Sequence, residues 1–151
     1  GSTTNREEGF LEAIREHAGI EVIVDNRFAG PTAGEAQNSA LNMLTQLRQA
    51  DGIFASNESA TNGMLQALKK EGLAGDVVFL GFDASPPLVA GLEAGEIQGL
   101  VVQNPHRMGY LAVKTLYAHT QGETVDHFID TGAALVTPDN MNDAEIRALL
   151  E

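Results

Sequence analysis

With 151 residues, 43% of them hydrophobic and 5% aromatic, the chain is long enough for one lobe, or two at most, with a sizeable core of the kind an α/β protein buries. Its 21 acidic residues outnumber 9 basic ones, and the net charge of −12, with no cluster of Lys and Arg, repels phosphate backbones and anionic lipid. Nucleic acid is therefore not expected as a partner. Cysteine is absent, which excludes disulfides, thiol catalysis and cysteine metal ligation while leaving the compartment open.

No apolar run approaches the roughly 18 residues of a membrane span, and the first residues carry no signal-peptide pattern, so no direct membrane insertion is expected. The chain begins without Met and reads as a processed or excised piece, with Gly1-Ser2 open between a cloning scar and native sequence.

In chain order, a polar loop from Gly1 to Asn5 precedes Phe10, Leu11, Ile14 and Ala18 at helical spacing. The β-branched run IEVIV (20–24) then predicts a buried strand. Thr32 to Glu35 forms a capping box after Pro31 and opens a helix with Ala36, Ala40, Met43, Leu44 and Leu47 inward. GIFA (52–55) follows as a strand, then a helix over about 59–71, strand VVFLGF (77–82), a helix from Pro86 to about Leu92, strand IQGLVV (97–102) and a longer helix at about 105–120. The tail adds FIDTGAALV (128–136) and a short helix from Asn142 with Asp143 in its first turn. Unbroken apolar strands separated by helices, with Gly72, Gly95 and Gly122 at helix ends, predict an α/β fold: a doubly wound parallel sheet covered by helices on both faces.

In such a sheet, ligands bind outside the carboxyl ends of the strands. Those ends carry Asp25-Asn26, Ser56-Asn57-Glu58, Asp83 and Gln103-Asn104, which are carboxylates and amides with no Lys, Cys or His. Asp accepts from two hydroxyls, while Asn and Gln both donate and accept, so the set suits a neutral polyhydroxylated molecule such as a sugar. The same residue types also form turns and helix caps, and Glu58 and Ser59 fit that role best.

Other chemistries lack their patterns. His17, His106, His119 and His127 include no i, i+4 pair, and neither an HExxH nor an EF-hand loop is present, so no metal site is expected. Ser56, Ser59 and Ser85 sit in no GxSxG elbow, and no Walker or GxGxxG loop exists to hold a nucleotide. Neither catalytic residues nor a cofactor are expected.

The strings NREEGF (5–10), NESATNGMLQAL (57–68), FLGFDAS (79–85) and GEIQGLVVQNPHRMGYLAVKTL (95–116) resemble the ribose-type family of periplasmic sugar-binding proteins, the type I solute-binding proteins of ABC importers. The resemblance spans essentially the whole chain. It implies a non-catalytic, periplasmic subunit that captures a monosaccharide between two lobes and passes it to a membrane permease. Carried over position by position, Arg6, Asn57, Asp83 and Gln103 would hydrogen-bond the sugar. Family members place a stacking aromatic just before the helix that starts here at Thr32. This chain has Pro31 there, which leaves Phe28 as the candidate ring.

The resemblance covers one lobe. Residues 1–103 correspond to the C-terminal, sugar-binding lobe, 104–126 to a crossover segment belonging to the absent N-terminal lobe, and 127–151 to the return and tail. The lobe's first strand has no counterpart, so IEVIV and GIFA would each face an empty slot, and the apolar face of helix 105–120 (Met108, Leu111, Ala112, Leu116) would lack its cover. The missing lobe or an oligomer partner is the expected remedy. The alternative is the effector-binding core of a sugar-responsive transcriptional repressor, which shares the fold; GEIQGLVVQNPHRMG and the lack of a helix-turn-helix segment favour the transport branch.

Overall fold

A computed structural model of the chain describes residues 1–150. Glu151, the last residue of the expected tail, lies outside the described residues. The elements run α1 (Ser2–Arg15), α2 (Ala33–Asn42), α3 (Leu44–Leu47), β1 (Gly52–Phe54), α4 (Glu58–Glu71), β2 (Val78–Phe82), α5 (Pro86–Glu93), β3 (Gly99–Gln103), α6 (Pro105–Thr120), β4 (Ala133–Val136) and α7 (Ala144–Leu150).

The strands form one sheet in the order β1-β2-β3-β4. The first three are parallel, with Ile53 opposite Phe79 and Gly81 opposite Leu100, each joined to the next by a crossover helix. The tail strand β4 returns antiparallel against β3, so the sheet is mixed rather than wholly parallel.

Side-chain alternation divides the sheet into two unequal faces. Phe79, Leu100, Val102 and Val136 point to the face covered by α4 with α5 beside it, where Leu68, Leu88, Leu92 and Ile97 complete a dry core. The backbones come close because two glycines allow it. A Cβ at Gly63 would run into Ala36 and the Ala33 carbonyl of α2, and one at Gly81 would run into the Thr61 side chain of α4. The opposite face is thinly covered: α1 sits at its carboxyl end, with Phe10 stacked on Phe54 at 4.6 Å, while Val78 and Leu135 remain more than half exposed.

Three expectations are corrected. IEVIV is not a strand: residues 20–24 run irregularly, with Ile20, Val22 and Ile23 exposed by 51, 41 and 47%. The physical reason is pairing, since β1 already forms the sheet edge and no strand lies between it and residues 20–24 to receive their N–H and C=O groups. Residues 2–5 are the first turn of α1 rather than a polar loop, closed by the Asn5 N–H donating to the Gly1 carbonyl at 3.2 Å. The helix opened by Thr32 does not run unbroken to Leu47; its backbone departs from helical geometry at Met43 (φ −117°, ψ 30°), which separates α2 from α3. The capping box itself is present, with the Thr32 hydroxyl accepting from the Glu35 N–H at 3.2 Å and the Glu35 carboxylate accepting from the Thr32 N–H at 3.2 Å.

Candidate functional site

The parallel strands all end on one edge, and the chain leaving each of them supplies a polar side chain there. After β1 come Ser56 and Asn57. Asn57 adopts extended backbone (φ −156°, ψ 169°) and is the N-cap of α4, its Oδ1 accepting from the Ala60 N–H at 2.8 Å and from the Ser59 hydroxyl at 3.0 Å. The cap role therefore belongs to Asn57; Glu58 is the first helical residue and Ser59 a donor to the cap. With Oδ1 engaged, the Asn57 amide has its NH2 group to offer a ligand.

Asp83 follows β2 and is the only non-glycine with positive φ (+66°) among the described residues. A left-handed residue breaks the in-out alternation of the strand, so the Asp83 carboxylate need not point opposite to Phe82 as an extended continuation would require. Its N–H still donates to the Val101 carbonyl at 2.9 Å, and Oδ1 accepts from Gln103 Nε2, at the end of β3, at 3.0 Å. Asp83 and Gln103 are thus one hydrogen-bonded pair, half-buried at the strand edge. Among the described residues, Oδ2 of Asp83 meets no donor.

Arg6 reaches the same edge from α1. Its Nη1 donates to the Ser56 carbonyl at 2.9 Å and its guanidinium carbon stands 3.9 Å above the centre of the Phe82 ring, a cation–π contact. Glu7 accepts from the Ser56 hydroxyl at 2.8 Å. Sequence reasoning did not single out Glu7, Phe82 or the Phe10–Phe54 stack. The usable signal was helical spacing: Arg6 and Phe10 are i, i+4 on α1 and meet the sheet together.

Asp83 and Gln103 line a cleft of about 710 Å³ together with Glu58 and Ser85, Val89 of α5, Met108 of α6 and Leu149 of α7. Phe28 lies elsewhere. It is 91% exposed and borders a smaller hollow of about 390 Å³ with Asn26, Arg27 and Asn42, and its carbonyl accepts from the Ser39 hydroxyl at 3.1 Å. The structure thus brings Arg6 onto Phe82 and Ser56, joins Asp83 to Gln103, and sets Phe28 apart from both. No group of three or more His, Asp or Glu side chains converges as metal ligands among the described residues, and no helix there is long and apolar enough to cross a membrane.

Comparison with known proteins follows the same geometry. Residues 1–124 match the family described as periplasmic binding protein domain. The chain is 29% identical over 127 residues to the ribose import binding protein RbsB of Salmonella typhimurium, which covers 83% of this chain and 42% of that protein. It superposes with a TM-score of 0.88 on a carbohydrate transporter solute binding protein from Agrobacterium radiobacter in complex with D-arabinose, at 38% identity, covering 95% of this chain and 48% of the other. A TM-score of 0.86 and 41% identity relate it to the periplasmic component of an ABC-type sugar transport system from Hahella chejuensis, over 91% of this chain and 49% of that one. The chain therefore spans less than half the length of these relatives, and within that span its sheet and crossovers are those of a type I binding-protein lobe. With the family match running over residues 1–124, the chain, whose three parallel strands end along one edge, is a member of the periplasmic binding protein domain family.

Proposed function

We propose that this chain is the sugar-binding lobe of an extracytoplasmic solute receptor that acts in the periplasm, closes with a second lobe around a monosaccharide and delivers it to the membrane permease of an ABC importer. The observation that carries the reading is the Asp83–Gln103 pair at the strand edge, one carboxylate oxygen held by the amide and both residues lining the cleft. Asp83 would accept from one or two sugar hydroxyls, Arg6 would donate, and the Asn57 and Gln103 amides would fix orientation. Closure strengthens each bond by excluding water. Phe28 joins the proposal as an exposed ring able to stack on a sugar face if the 25–31 loop folds over the edge. No side chain here changes the sugar; the role is binding and release. The segments 1–103, 104–126 and 127–151 would then be the lobe, the crossover toward its partner lobe and the return.

Calorimetry on the two-lobed protein carrying this chain, with D-ribose and D-arabinose as probes, tests the reading. Asp83→Asn is the informative variant, because Asn tolerates left-handed backbone and keeps a group for Gln103 while removing the charge. Loss of a charge-assisted bond worth about 1.5–3 kcal/mol should weaken binding at least tenfold with the fold intact. Unchanged affinity in folded Asp83→Asn would remove Asp83 from the site, and NMR signals of a chemically altered sugar would replace the receptor reading with an enzymatic one.

A further inference from the structure

One buried hydroxyl links the separate parts of this edge. β1 stops at Phe54, and the Ala55 N–H makes the last bond across to β2, donating to the Leu80 carbonyl at 2.9 Å. β2 continues to Phe82, whose N–H is bonded to a helix side chain rather than to a neighbouring strand. The Thr61 hydroxyl, fully buried on α4, accepts from Phe82 N–H at 2.9 Å. The same hydroxyl donates to the Asn57 carbonyl at 2.8 Å.

A Thr near the start of a helix bonding to the carbonyl four residues back, here that of the N-cap, is ordinary; one that simultaneously satisfies a strand N–H is not. Gly81 admits it, since any side chain there would collide with Thr61. Thr61 therefore ties the N-cap residue Asn57 to Phe82, and Phe82 in turn carries the Arg6 guanidinium on its ring and precedes the left-handed Asp83.

We propose that Thr61 is a positioning residue of the ligand site: acting through Phe82, its hydroxyl fixes Arg6 and Asp83 relative to Asn57. The inference rests on the sugar-site reading for its consequence and on geometry alone for its mechanism. Thr61→Val keeps the shape of the side chain and removes the hydroxyl, and Thr61→Ser keeps the hydroxyl and removes a methyl.

In the two-lobed protein, Thr61→Val should weaken D-arabinose binding about tenfold, as expected when a buried hydrogen-bond network loses one member, and Thr61→Ser should restore it to within about threefold. A second readout needs no sugar. By NMR, the Arg6 side-chain protons should lose their upfield ring-current shift in Thr61→Val, and the Phe82 amide should exchange about tenfold faster. If Thr61→Val does not fold, Phe82→Leu keeps the N–H bond but removes the ring, and should also weaken binding; wild-type affinity there overturns the proposal. Folded Thr61→Val with unmoved Arg6 signals, or with moved signals and unchanged affinity, overturns it too. A wild-type protein that binds neither D-ribose nor D-arabinose, yet shifts its Arg6 signals in Thr61→Val, supports the positioning role and overturns these two pentoses as ligands alone.

Discussion

Two apolar runs of nearly equal length meet opposite fates. IEVIV (20–24) has four β-branched residues out of five, while VVFLGF (77–82) has only two of six and contains a glycine. By intrinsic preference the first is the better strand. Yet the second is the centre of the sheet, with β1 on one side and β3 on the other, and the first makes no ladder at all. The difference lies in the neighbours. Extended backbone has no internal hydrogen bonds, so a strand is completed by chain elsewhere, whereas a helix closes its own.

The largest expected effect widens this contrast. Phe79 is wholly buried between its neighbours on β1 and β3 and the helices above, and Phe79→Ala removes the ring from the densest part of the core. A loss of about 3–5 kcal/mol is expected in urea unfolding, enough to consume much of a typical domain's stability. Hydrogen exchange should show the same division without mutation, with amides of β2 protected and those of residues 21–24 exchanging close to unstructured rates. A loss under about 1 kcal/mol for Phe79→Ala would break the comparison, because it would mean that burial in β2 contributes no more than exposure at 20–24.

What sequence could and could not show follows the same line. The capping box at Thr32 and the helix over 105–120 are local patterns, and both stand where spacing placed them. Strands 77–82 and 97–102 were legible because helices separate them in the alternating order that parallel pairing requires, and they differ from β2 and β3 only at their ends. The antiparallel return of β4 and the exclusion of 20–24 depend on which strands are present to pair with, which no window of residues contains. At the site, the polar character of each strand end was readable. The left-handed turn at Asp83 was not, since neither Gly nor Asn marks it, and the Thr61 bridge joins residues 21 apart in sequence.

A smaller effect sharpens the contrast from the helical side. Thr32→Ala removes the side-chain half of a capping box at the exposed start of α2, where no packing is disturbed. About 1 kcal/mol should be lost, visible as a shift in the urea midpoint at constant m-value. A loss as large as that of Phe79→Ala would mean that local closure, not tertiary pairing, dominates this fold.

The smallest effect is the most discriminating. Ile23 is 47% exposed and belongs to no element, so Ile23→Ala in this chain should change stability by no more than about 0.5 kcal/mol, as at ordinary surface positions. In a two-lobed protein whose added chain supplied a strand between residues 20–24 and β1, the same isoleucine would become a paired, buried strand residue. Ile23→Ala should then cost about 2–5 kcal/mol. The two measurements bear on one cause: the same side chain removed from the same local sequence, without and with a strand to pair with. Near-zero cost in both proteins would show that IEVIV stays outside the sheet even with a neighbour at hand, and the explanation for its exposure would have to move from missing pairing to the loop that follows it.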